Sequence, residues 1–264
     1  MNAPPTIGRL KEALRRVRHR GFHALSTFPG ALAPGETISD QFLYRGDIAA
    51  NRFVAENTVA LVAGEPVEVT HRLLFFDPDG RSLGEQSVDS SRFYTTITID
   101  PLPVDFATYV HATAYRKPST LQRHHRGYSL YQRTSQSVFA AVHGNFGGIV
   151  TDPSRSPRRH RLLARHRAHF LYTPQHRFHP DEQVTLYVMN PCPTTETVEV
   201  LQTAPGVGGH RRGPALTVPS LGVRCCRLEG LDGYLTLRSR LPTCRPLIFV
   251  EKESHLHHFD VFHT

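Results

Sequence analysis

Residues 66–80 read PVEVTHRLLFFDPDG. Val67 and Val69 alternate with Glu68 and Thr70, a period of two that belongs to a strand with one buried face. An apolar run, Leu73 to Phe76, follows. Asp77-Pro78-Asp79-Gly80 then supplies the residues that turn a chain sharply. A strand stopped by a turn of this kind predicts β-structure, and the pattern recurs outward in both directions.

RFYTTITID at 92–100 is rich in aromatic and β-branched residues, which suit a pleated surface. DFATYVHATAY (105–115) and SVFAAVHG (137–144) follow. After a basic, turn-rich interruption at 147–169, the runs resume as HFLYTP, EQVTLYVMN, ETVEVLQT, PALTVP, VRCCRL, GYLTLRS, PLIFVEKE and HHFDVFH. With 19 Gly and 20 Pro between short apolar runs, an all-β chain is expected. Its 264 residues suffice for a large core or two ordinary ones.

The two β blocks read as copies of one plan. Phe42-Leu43-Tyr44 corresponds to Phe170-Leu171-Tyr172. The strand Val67–Asp77 corresponds to Val184–Asn190, and Val138-Phe139 to Ile248-Phe249. The expectation is two tandem β-sandwich-like blocks, residues 29–150 and 151–264, each burying its own core. A basic segment, 1–28, precedes them. There Ile7, Leu10, Leu14, Val17 and Gly21 form one helical face, extended by Phe22 and Leu25, and six Arg or Lys crowd the rest. It is expected to be a short amphipathic helix able to meet an anionic membrane surface.

The stretch 184–252 resembles the small β-sandwich of the sensory rhodopsin transducer family. A strand ends in YVMNPCPTTETVEV, LTVPSLGVRCCRLEGL follows, and the late strand of YLTLRSRLPTCRPLIFVEK is apolar. That family consists of soluble signalling or ligand-binding modules. The resemblance implies a sandwich and favours binding over catalysis. It assigns no functional residue.

The formal charge is +8 with 17 His taken as neutral, which suggests an anionic partner. No aromatic RNA-binding pattern or recognition helix accompanies that charge, so nucleic acid is the weaker expectation. No P-loop or G-x-G-x-x-G fingerprint is present. The four cysteines, Cys192, Cys225, Cys226 and Cys244, show no C-x-x-C spacing and are expected to be reduced. The chain shows neither the apolar run of a secretory signal nor a membrane-spanning stretch. A cytoplasmic location, peripheral at the inner membrane face, is therefore expected.

Two stretches carry candidate chemistry. HRGYSLYQRTSQSVFAAVHGNFGG at 125–148 gathers Tyr128, Tyr131, Gln132, Arg133 and Asn145, side chains that bind hydroxyl-rich or carboxylate ligands. HLHHFDVFHT at 255–264 places His255 and His257 on one strand face, about 6.6 Å apart. His143, at the matching loop exit of the first block, is the third metal ligand that symmetry nominates. His263 lies about 20 Å along the strand from His257 and is set aside. The leading expectation is a non-catalytic binding or scaffold protein without a cofactor, taking an anionic or carbohydrate-related ligand. The alternative is an enzyme holding a divalent transition metal such as zinc on His143, His255 and His257.

Overall fold

The structure is a computed structural model. It describes residues 23–26, 32, 36–116, 127–144, 150–151, 163–166, 169–191, 194–204, 206, 209–240, 246–252 and 259–263. The first half carries β1 (His23–Ser26), β2 (Thr37–Arg45), β3 (Ala50–Glu56), the short α1 (Thr58–Ala63), β4 (Val69–Phe76) and β5 (Ser82–Ser90). It continues with β6 (Tyr94–Thr98), β7 (Phe106–Tyr115), β8 (Gly127–Gln132), β9 (Phe139–His143) and β10 (Val150–Thr151). The second half begins with β11 (Leu163–His166), β12 (Phe170–Tyr172), β13 (Glu182–Met189), β14 (Glu196–Thr203) and β15 (Arg211–Val218). It ends with β16 (Val223–Leu228), β17 (Tyr234–Ser239), β18 (Leu247–Lys252) and β19 (Phe259–Phe262).

Among the described residues every strand pairing is antiparallel. Sheet I has the order β10-β2-β7-β4-β5, sheet II β6-β3-β8-β9, sheet III β12-β17-β14-β15 and sheet IV β16-β13-β18-β19. A two-stranded ribbon joins β1 to β11. Apart from β10 at one edge, sheets III and IV repeat the strand order of sheets I and II, with each strand number raised by ten. The chain therefore follows one path twice.

The repeat corrects two of the sequence correspondences. Phe42-Leu43-Tyr44 and Phe170-Leu171-Tyr172 do occupy equivalent strands, β2 and β12. The strand β4, however, is equivalent to β14, not to β13, and β9 is equivalent to β19, not to β18. Apolar strands of one length resemble one another, and only their neighbours distinguish them.

The chain is all-β, but the expected pair of tandem sandwiches is not its arrangement. The four sheets are arranged as a four-bladed β-propeller. Apolar packing does not stop at the boundary near residue 150. On β4, Leu73 and Phe75 pack into a cluster with Phe53, Ile97 and Tyr109 of the first half. Their neighbours Leu74 and Phe76 pack instead with Val184, Leu186, Val200, Leu237 and Ile248 of the second. A third cluster joins Leu43, Tyr131 and Val142 to Tyr187, Met189, Leu247, Phe249 and Val261. Two sheets thus bury both faces: one cluster lies wholly within the first half, and the other two cross the boundary. The expected helix over 1–28 is corrected at its end, where His23–Ser26 is a strand paired with Leu163–His166. Residues 1–22 lie outside the described residues.

The DPDG turn also has a tertiary role. The Asp77 carboxylate accepts the backbone N–H groups of Asp79 and Arg81 at 2.9 and 2.8 Å. The turn presents the Pro78 carbonyl to the second half, where it accepts from Val223 N at 3.1 Å and from the Arg224 guanidinium at 2.6 Å. The partner turn, 219–222, is held by buried Asn190, whose side-chain amide donates to the carbonyls of Thr194 and Val218. Leu221 there takes φ +58, and its carbonyl accepts from the hydroxyl of Thr108 and the amide of Gln41. Gly80 has φ +82, and a Cβ on it would lie 1.8 Å from the Ser220 carbonyl oxygen. Gly64 offers a control, since it has φ +72 with open space around it. In urea titrations Gly64→Ala should cost about 1–2 kcal/mol from its backbone conformation alone. Gly80→Ala should cost roughly 1–3 kcal/mol more, because the two turns must separate. Equal losses would show that the turn contact contributes nothing.

Candidate functional site

A cleft of about 660 Å³ opens where the two halves meet. Arg45, Asp47, Ile48 and Arg133 line it from the first half. Pro180 to Thr185, Arg227 to Gly230, and Glu251 line it from the second.

Arg45 organises this wall. It is the last residue of β2, and its side chain is only 6% exposed. Asn51 fixes its backbone from both sides, accepting from Arg45 N at 3.0 Å and donating to Arg45 O at 2.6 Å. The guanidinium grips Asp47 with two hydrogen bonds, of 2.9 and 2.6 Å. It also lies 4.5 Å over the ring of Phe249, a cation–π contact between the halves. Burial works against its charge, but the Asp47 hydrogen bonds and the nearby Tyr187, Asp47 and Glu251 outweigh it and raise its pKa further. Burial likewise opposes ionisation of Asp47, and the Arg45 hydrogen bond reverses that and holds the carboxyl below its ordinary range.

Further ion pairs hold the wall, one set across the halves and one within the second half. Glu251 lies 2.9 Å from Arg133 and 3.7 Å from Arg45. Lys252 lies within 3.4 Å of Asp181 and 3.5 Å of Glu182. Burial raises the pKa of Glu182, but the backbone N–H of His179, then His176 and Lys252, bring it below the usual value. The walls therefore present charges of both signs, five carboxylates against three guanidiniums, and ion pairs hold most of them.

The structure separates the ligand residues nominated from sequence. Arg133 does line the cleft. Tyr131 is fully buried and donates its hydroxyl to the Leu43 carbonyl at 2.8 Å, so it belongs to the core. Gln132 donates to the carbonyls of Ser135 and Ser137 and closes a turn. Tyr128 stands 39% exposed on β8, paired in register with His143 and away from the cleft lining. Asn145 lies outside the described residues. Sequence reasoning missed Arg45, Asp47, Arg227 and Glu251. The available signal was a charged Arg-Gly-Asp directly after the apolar strand FLY.

His255 and His257 also lie outside the described residues, so the three-histidine site gains no geometry. Among the described residues no group of three His, Cys, Asp or Glu is gathered for a metal. His143 instead meets His263, with Nε2 to Nε2 at 2.7 Å. A second pair, His71 and His111, is buried between sheets I and II, with Nδ1 of His71 3.0 Å from Nε2 of His111. The ring of Phe53 lies 4.8 Å from that of His111.

The chain matches no protein-family model, and no curated protein matches it. Among the described residues no helix is long and apolar enough to cross a membrane.

The buried pair makes stability pH-dependent. Burial depresses the His71 pKa from 6.5 to about 4. Between those values the unfolded chain binds the proton and the folded chain does not, so stability falls as pH drops from about 6.5 to about 4. This residue alone should remove about 3 kcal/mol over that window, at 1.36 kcal/mol per pKa unit. Imidazole NMR should find His71 neutral at pH 5; a resonance titrating near 6.5 would remove the effect.

Proposed function

We propose that the chain is a non-catalytic binding protein whose cleft at Arg45, Arg133 and Glu251 takes a hydroxyl-rich, carbohydrate-related ligand. The observation that carries this reading is the mixture of fixed guanidiniums and carboxylates on the cleft walls. Sugar hydroxyls both donate and accept, so they use carboxylate and guanidinium together. Five carboxylates against three guanidiniums make the cleft a poor place for a compact polyanion. The carbohydrate side of the sequence expectation is therefore the better supported one, and the basic excess of the chain lies elsewhere.

Binding is favoured over catalysis by the state of the acids. A general acid or base works best with a pKa near the operating pH. Asp47 and Glu182 are held below the ordinary carboxylate range. These groups are suited to hold a ligand and poorly suited to pass protons.

Thermal melting and calorimetry of the full chain with neutral monosaccharides, disaccharides, inositol, hexuronates and inorganic phosphate tests the reading. A neutral sugar or polyol should raise the melting temperature, and phosphate should not compete with it. Arg133→Ala and Glu251→Gln should each weaken that binding about tenfold or more, the worth of a hydrogen bond to a charged group. Binding of phosphate or hexuronate alone, or sugar binding untouched by both variants, would refute it.

A further inference from the structure

The strand β9 and the strand β19 are equivalent in the repeated path, and their sequences agree at both ends. Phe139-Ala-Ala-Val-His143 matches Phe259-Asp-Val-Phe-His263. The register supports this alignment. Val142 stands opposite Ser129 and Phe262 opposite Ile248, so each histidine follows a residue at the same place in its sheet. The two equivalent histidines then meet across the halves, Nε2 to Nε2 at 2.7 Å, with ring centroids 4.1 Å apart.

The tautomer of His143 is set by its surroundings. Its Nδ1 lies 3.1 Å from the Gly144 carbonyl and donates to it. Gly144 is wedged in place, since a Cβ on it would lie 2.3 Å from Asp40 and 2.9 Å from the Phe42 ring. With the proton on Nδ1, Nε2 of His143 presents a lone pair toward His263. A carbonyl that accepts from one ring nitrogen while the other faces outward is the arrangement that orients a metal-bound imidazole.

We infer that His143 and His263 form a binding site for a divalent late transition metal, such as copper, nickel or zinc, that clamps the two halves together. Imidazole nitrogen suits these ions. At metal–nitrogen bonds of 2.0–2.1 Å, two ligands lie about 2.9 Å apart at a right-angled bite and about 3.3 Å apart in a tetrahedron. The pair therefore needs to open by only a few tenths of an ångström, within reach of small ring rotations. On binding, His263 shifts its shared proton from Nε2 to Nδ1, so no net proton is released at neutral pH. Solvent completes the coordination. The inference does not depend on the cleft or its ligand.

The test uses untagged full-length chain freed of metal with a chelator. Zinc chloride and copper chloride are titrated in turn by calorimetry and thermal melting, and the copper complex is examined by electron paramagnetic resonance. One metal per chain should bind, raise the melting temperature and show nitrogen coupling. His143→Gln and His263→Gln should each weaken that site at least tenfold. His263 follows the last residue of β19, so its variant reads the site even if His143→Gln disturbs folding. A chain with no one-to-one site, a site unchanged in His263→Gln, or one abolished only in a His255→Gln/His257→Gln variant would overturn the inference.

Discussion

One guanidinium sits where the two halves of the chain meet, and much else follows from how it is satisfied. Arg45 is buried by the apolar strand that it ends, yet its charge cannot go unpaired there. Asp47 takes two of its donors, Phe249 of the other half takes its face, and Glu251 stands nearby. Breaking a fully buried pair of this kind costs about 3–5 kcal/mol. Asp47 stays 46% exposed, so solvent screens the bond and the contribution is smaller. The same contacts that fasten the halves leave a row of fixed charges at the surface, and that row is the cleft wall.

The apolar layers around Arg45 explain why the halves do not separate. Antiparallel sheets commonly leave one face to water and alternate accordingly. Sheets I and IV do not. Leu73-Leu74-Phe75-Phe76 on β4 and Leu247-Ile248-Phe249-Val250 on β18 are buried at every position. Successive side chains on a strand point to opposite faces, so such a run needs apolar partners on both sides. For β4 those partners come from the first half on one face and the second half on the other. The two loop turns, 77–80 and 219–222, close the same seam through their Pro78 and Leu221 carbonyls, which accept hydrogen bonds from the opposite half.

The candidate sites were legible to different degrees, for a common reason. Arg133 was found because Tyr, Gln and Arg crowd one short stretch, yet two of its neighbours there proved structural. Tyr131 points into the core because strand residues alternate, and Gln132 turns back on its own loop. Glu251 was visible but indistinguishable from any exposed strand acid until Arg133 and Arg45 stood beside it. His143 was nominated through an inexact repeat. Its true counterpart, His263, was set aside because distance was measured along one strand, whereas the fold brings the two together across strands.

The sequence by itself determined that this chain is β throughout its described core. Strand periodicity, β-branched and aromatic content and turn residues are local properties, and local sterics decide them. It also showed a doubled plan, and in Leu73–Phe76 and Leu247–Val250 it held the sign that both faces of two sheets are buried. It could not say what covers those faces, because apolar surface is non-directional and any complementary apolar face will serve. The docking of one half on the other, the reach of Arg45 to Glu251 and Phe249, and the meeting of His143 with His263 are contacts between residues far apart in the sequence. Such pairings depend on which sheet docks on which, and only the tertiary structure makes that choice.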